Sequence, residues 1–176
     1  PILDDRRNVN TLYPNGHGRM VAPVPGGKSS LQALRVSSDI AEIETAGEIA
    51  RTCHQSYGIF PNLVSPMSNL AVAPILFWPN GRNKCRMETW TIAPQWKEGM
   101  KPDLWTVDDG KELCTVLLED TQFGEKIQKS MESRAFKGVP LSYQEARIYH
   151  WNQAADLMIG IDNIPDELRV QQVIGD

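Results

Sequence analysis

Histidine and cysteine are scarce in this 176-residue chain, with three of each, and their spacing excludes several chemistries. Cys53, Cys85 and Cys114 are far apart and odd in number, so they read as reduced thiols of a cytoplasmic protein and not as a disulfide framework. No C-x-x-C or C-x-H spacing occurs, which argues against a structural zinc or an iron–sulfur cluster held by this chain. His17, His54 and His150 include no close pair that would clamp a metal. A G-x-S-x-G elbow is missing, and the adjacency of Cys53 and His54 sends those two side chains in different directions. Gly16-His-Gly18 and Gly26-Gly27 follow turns, not a strand that leads into a helix, so no phosphate loop is signalled. No Lys/Arg cluster stands out against a net charge of -4, which argues against a nucleic-acid partner. No apolar run approaches the length of a membrane span, and no signal peptide is recognisable. The sequence opens at Pro1 without an initiator Met, so what precedes it stays open.

What the chain does have is enough length for one domain that buries roughly two thirds of its unfolded surface, and one segment that asks for an explanation. Read at helical spacing, Leu113, Val116, Leu117, Phe123, Ile127 and Met131 form one apolar stripe. Asp120 falls inside it, while Glu119 is turned about a hundred degrees away towards Gln122 and Lys126. A carboxylate on such a stripe must be paired, neutralised or bound to a cation. Periodicity alone leaves an internally satisfied Asp and a metal-binding Asp equally open.

In chain order, Pro14-Asn-Gly-His-Gly18 and Pro25-Gly-Gly27 bracket Arg19 to Val24, a short run that reads as an edge strand with Pro23 near its end. Ile40, Ile43, Ala46, Ala50 and Cys53 recur at threes and fours, which predicts a helix over 39–54 capped by Ser38 or Asp39. Tyr57 to Asn62 is extended and closed by a turn. Two β-rich runs, 70–78 and 85–93, flank Pro79-Asn-Gly-Arg-Asn83 and predict a hairpin. Asp108-Asp109 would cap the long helix and Gly138-Val-Pro140 would break it. Ser142-Tyr-Gln-Glu145 reads as a capping box for a last helix with Ala146, Tyr149, Ala154, Leu157 and Met158 inside. Strands followed by a long helix across an antiparallel sheet make an α+β arrangement, whose concave face would enclose a cavity. His17 in its turn reads as exposed and His150 as packed or superficial. His54, between helix and strand, could face the cavity.

Four segments resemble, in order, the catalytic domain of the large (α) subunit of Rieske non-heme iron ring-hydroxylating oxygenases. They are His54-Gln-Ser-Tyr-Gly-Ile-Phe-Pro-Asn62, the hairpin end Glu88-Thr-Trp-Thr-Ile92, Leu118-Glu-Asp-Thr-Gln-Phe-Gly-Glu-Lys-Ile-Gln128, and Lys137-Gly-Val-Pro-Leu-Ser-Tyr-Gln-Glu145. The resemblance covers roughly residues 48–160. It implies a helix-grip fold enclosing a mononuclear iron(II) and an aromatic or similar hydrophobic substrate. It also implies that Asp120 is the carboxylate of a two-histidine, one-carboxylate metal site. His54 and Ser56 would line the substrate pocket with Val116 and Leu117, and Asn62 would be structural.

The family's Rieske domain and the two iron-binding histidines have no counterpart in these residues. The chain is therefore expected to be the C-terminal part of a catalytic domain. Its Rieske 2Fe-2S cluster would lie in an N-terminal part or a partner. The resemblance further implies O2 as co-substrate, a reductase or ferredoxin as electron donor, and a homotrimer in the cytoplasm. The rival expectation is a non-catalytic helix-grip protein that binds a hydrophobic ligand, pairs Asp120 internally and holds no iron.

Overall fold

The computed structural model describes residues 7–25, 40–94 and 115–174, with Thr115 and Val116 described by their backbone only. Its centre is a six-stranded antiparallel sheet in which every strand pairs with its neighbours in sequence. The strands are β1 (Val9–Tyr13), β2 (His17–Pro23), β3 (Cys53–Ile59), β4 (Leu63–Met67), β5 (Ile75–Pro79) and β6 (Cys85–Thr89). The helices are α1 (Glu48–Thr52), α2 (Thr115–Thr121), α3 (Gly124–Met131) and α4 (Ala146–Ile159). The architecture is α+β, as expected, and consistent with a helix grip.

The β1–β2 hairpin turns through Asn15 and Gly16, both with positive φ (61° and 79°), a backbone that Asn and Gly adopt with least strain. This pairing places β2 between β1 and β3, so the run at Arg19–Val24 is an interior strand, not an edge. Pro23 sits at the end of β2 opposite Cys53, where a missing N–H costs the ladder little. β3 and β4 turn through Phe60-Pro61-Asn62, whose Phe60–Pro61 peptide is cis. The Asn62 carbonyl accepts the Phe77 N–H at 3.0 Å, tying that turn to β5 through the backbone.

The β5–β6 hairpin forms around the Asn-Gly turn, closed by Asn80 N–H to the Lys84 carbonyl at 2.9 Å. Both strands are shorter than the apolar runs suggest, because Pro74 interrupts the first. The ladder resumes beyond it only as a Val72–Ile92 bridge.

The helix expected over 39–54 shrinks to α1, with Ser38 and Asp39 outside the described residues. Polar chemistry replaces helical bonding ahead of Gly47. Arg51 Nε donates to the Ala46 carbonyl at 2.8 Å, and its guanidinium also engages the Ile43 and Glu44 carbonyls. Ile43 N–H bonds to the Asn69 carbonyl at 2.9 Å, so the apolar residues Ile40 and Ile43 anchor an irregular segment against the β4–β5 connection. Cys53 and His54, expected at a helix end, open β3 instead.

The long helix is also divided. Leu113, Cys114, Asp108 and Asp109 lie outside the described residues, and α2 ends at Thr121 with α3 beginning at Gly124. Thr121 Oγ1 donates to the Leu117 carbonyl at 2.7 Å, a local bond that competes with the helical ladder. Gly124 then brings the weakest helix former after proline. Among the described residues the stripe is largely not buried: Phe123, Ile127 and Met131 are exposed and Leu117 is half-buried.

The helix that packs on the sheet is α4, against β1 and β2. Its start matches the capping box: Ser142 N–H and Oγ both donate to Glu145 Oε2, at 2.8 and 2.9 Å, and a 3-10 turn over Tyr143–Glu145 leads into the helix. Its inner face, however, is polar. His150, Gln153 and Asp156 are buried, while Leu157 and Met158 are exposed. For Gln153 and Asp156 the reason lies in residues 160–174, which fold back along the helix and present backbone groups to those two side chains. Asp156 Oδ2 accepts the Val170 N–H at 2.7 Å, and Gln153 exchanges hydrogen bonds with the Ile174 backbone.

Candidate functional site

Strand pairing puts Gly18, Met20 and Ala22 of β2 beside Gly58, Ser56 and His54 of β3, and period-two alternation aims all six positions at one face of the sheet. That face is the one α4 covers. A Cβ on Gly18 would lie 3.1 Å from Arg147 Cδ, so the aliphatic stem of Arg147 rests on bare backbone there. At the hairpin tip a Cβ on Gly16 would lie 2.6 Å from Ala154 Cβ, which is closer than atoms pack. Glycine at both positions lets α4 approach the sheet. His150 Nε2 meets the Tyr13 carbonyl at 2.7 Å and Trp151 Nε1 donates to the Pro61 carbonyl at 2.9 Å, clamping the helix across both hairpin ends. Phe60 and Trp151 pack ring to ring with centroids 5.5 Å apart.

On this face His54 is half-buried and Ser56 is buried. Burial, and then the positive charge of Arg147, push the His54 imidazole below its ordinary pKa. His54 is therefore neutral at pH 7, with one ring N–H to donate and one ring nitrogen to accept. Arg147 is half-buried, and that burial lowers the pKa of its guanidinium. Its Nε is buried without a hydrogen-bond partner. The site so far is a neutral imidazole, a buried hydroxyl and a partly desolvated cation, lined up on adjoining positions of one sheet face.

His54 and Ser56, two residues apart on β3, share one face of the sheet. Arg147 escaped notice because nothing local marks it. The facing glycines Gly18 and Gly58, which leave room for a long side chain from the covering helix, are the nearest sequence signal. His17 is not simply exposed but accepts the Phe60 N–H on Nδ1 at 3.0 Å, a structural bond. His150 is packed.

Asp120 and Leu117 lie on α2, Asp120 exposed and Leu117 half-buried, and Val116 is placed there by its backbone alone. No hydrogen bond or ion pair among the described residues joins any of them to His54 or Ser56. No group of three or more His, Cys, Asp or Glu side chains among the described residues is placed to hold a metal. The described residues alone therefore do not fit an iron centre, for which they offer one carboxylate. No helix among them is long and apolar enough to cross a membrane.

The family model for the ring hydroxylating alpha subunit (catalytic domain) matches residues 6–160. That span covers most of the chain, both hairpins around the His54 face, α2 with Asp120, and α4. The chain belongs to this family. Neither a curated protein nor a solved structure matches it.

Proposed function

We propose that this ring-hydroxylating catalytic domain takes part in hydroxylating an aromatic or similarly hydrophobic substrate with O2, at a mononuclear iron(II) supplied with electrons from a Rieske cluster. The observation that carries the proposal is the joint placement of His54 and Ser56 on the sheet face beneath α4, within the span of the family match. In this reading that face is the wall of the substrate pocket. His54 lines the pocket as a neutral imidazole, Ser56 adds a hydroxyl, and Val116 and Leu117 contribute apolar surface from α2. Asp120 supplies the carboxylate of the metal site, which the two histidines implied by the family resemblance complete. A reductase or ferredoxin delivers the electrons, and a homotrimer brings a Rieske domain to the catalytic domain.

The reaction class is tested with the full-length protein, its electron donor, 18O2 and a panel of aromatic compounds. The expected result is substrate-dependent O2 consumption with the isotope in a hydroxylated product. Oxygen uptake that no aromatic compound stimulates, with no labelled product, overturns the proposal.

A further inference from the structure

The cation on the pocket face has no counterpart. Arg51 is spent on backbone carbonyls, Arg86 pairs with Glu88 at 2.7 Å and Arg169 pairs with Asp166 at 2.6 Å, while Arg19, whose Nε is likewise buried without a partner, lies on the opposite face beside Tyr57. Arg147 makes no hydrogen bond or ion pair among the described residues, although it is half-buried and its Nε is fully enclosed. A guanidinium keeps its charge under any ordinary condition, so this side chain holds a partly dehydrated positive charge that nothing in the described protein compensates. Leaving such a group unpaired is unfavourable, and an anion that completes it recovers the loss.

The surroundings restrict what that anion can be. The stem of Arg147 lies over Gly18, and its charge is felt at His54 two pairs further along the β2–β3 ladder, with Met20 and Ser56 at the pair between. His54 is held neutral, so the face carries one positive charge, which matches a monoanion better than a phosphate dianion. The planar fork of guanidinium N–H groups fits the two oxygens of a carboxylate. Ser56 is a neutral donor on the adjoining pair, and Met20 supplies apolar surface.

We propose that Arg147, with Ser56 beside it on the face, receives the carboxylate of the substrate, which makes the natural substrate an aromatic or otherwise hydrophobic carboxylic acid. This rests on reading the His54 face as the substrate pocket. Arg147 is a binding residue here and takes no part in chemistry.

The test is equilibrium dialysis of the full-length protein with matched acid and amide probes: benzoate against benzamide, and 2-naphthoate against 2-naphthamide. The protein is expected to bind at least one acid about tenfold or more tighter than its amide. Arg147→Met is expected to erase that preference, with amide affinity changed less than about threefold. Arg147→Lys is expected to recover part of it, because charge remains and the fork does not. Equal binding of acids and amides by the wild type overturns the proposal whether or not the variants fold, and so does a preference retained in Arg147→Met. If the amides bind without any acid preference, the carboxylate proposal fails alone. If none of the four probes binds, the pocket reading fails with it.

Discussion

His54 and Asp156 show how the same fold uses buried polar groups in opposite ways. The folded protein holds a proton on His54 less tightly than the unfolded chain, because burial and the charge of Arg147 both disfavour the imidazolium. Above the ordinary imidazole value of about 6.5 both states are neutral there and His54 leaves stability unaffected. As pH falls through that value the unfolded chain takes up the proton first, so stability declines. His54→Gln is expected to make stability less sensitive to pH just below 6.5, measured by urea unfolding across that range. An NMR titration that finds His54 protonating above its ordinary value contradicts this. Asp156 instead satisfies the Val170 N–H at 2.7 Å. Asp156→Ala leaves that amide without its partner and is expected to cost about 1–3 kcal/mol. Faster hydrogen exchange should be confined to residues 169–174, and unchanged exchange there would show that the tail does not depend on this bond.

At the scale of elements, the glycines separate backbone strain from packing. Gly16 and Gly81 both have positive φ, but only Gly16 is pressed against another element, with Ala154 at 2.6 Å from its would-be Cβ. Gly81→Ala is expected to cost about 1–2 kcal/mol for the left-handed backbone. Gly16→Ala is expected to cost clearly more, because α4 must also move off the hairpin. Equal costs, measured by thermal or chemical unfolding, would mean that α4 does not seat there. Gly124 meets nothing within 4 Å, so Gly124→Ala is expected to stabilise the protein by up to about 1 kcal/mol through helix propensity. A loss would show that the interruption between α2 and α3 is needed.

The hairpin at Asn80-Gly81 and the capping box at Ser142–Glu145 were legible in the sequence because their determinants are local. The first hairpin was legible in principle, since Asn15-Gly16 carries the same turn signal, but Pro14 and the flanking glycines make it read as an unstructured turn. The helix expected over 39–54 fails through a tertiary effect, in which Arg51 captures carbonyls that helical amides would otherwise take. The inner face of α4 departs from the apolar periodicity for a related reason. Its burial is set by a returning tail rich in backbone donors, and apolar periodicity does not report that.

For the whole molecule, the sheet order, the α4 cover and the family match over residues 6–160 agree on a ring-hydroxylating catalytic domain. The resemblance singles out His54 and Ser56 but not Arg147, whose position matters only once α4 lies across Gly18. The central claim is the metal role of Asp120, and the most direct measurement is iron content. Full-length wild type, Asp120→Ala and Glu119→Ala are purified with iron(II) present and compared by elemental analysis. Wild type and Glu119→Ala are expected to hold similar iron, and Asp120→Ala to lose about tenfold or more if Asp120 is a direct ligand. Iron in Asp120→Ala equal to the wild type, or near zero in all three, would contradict it.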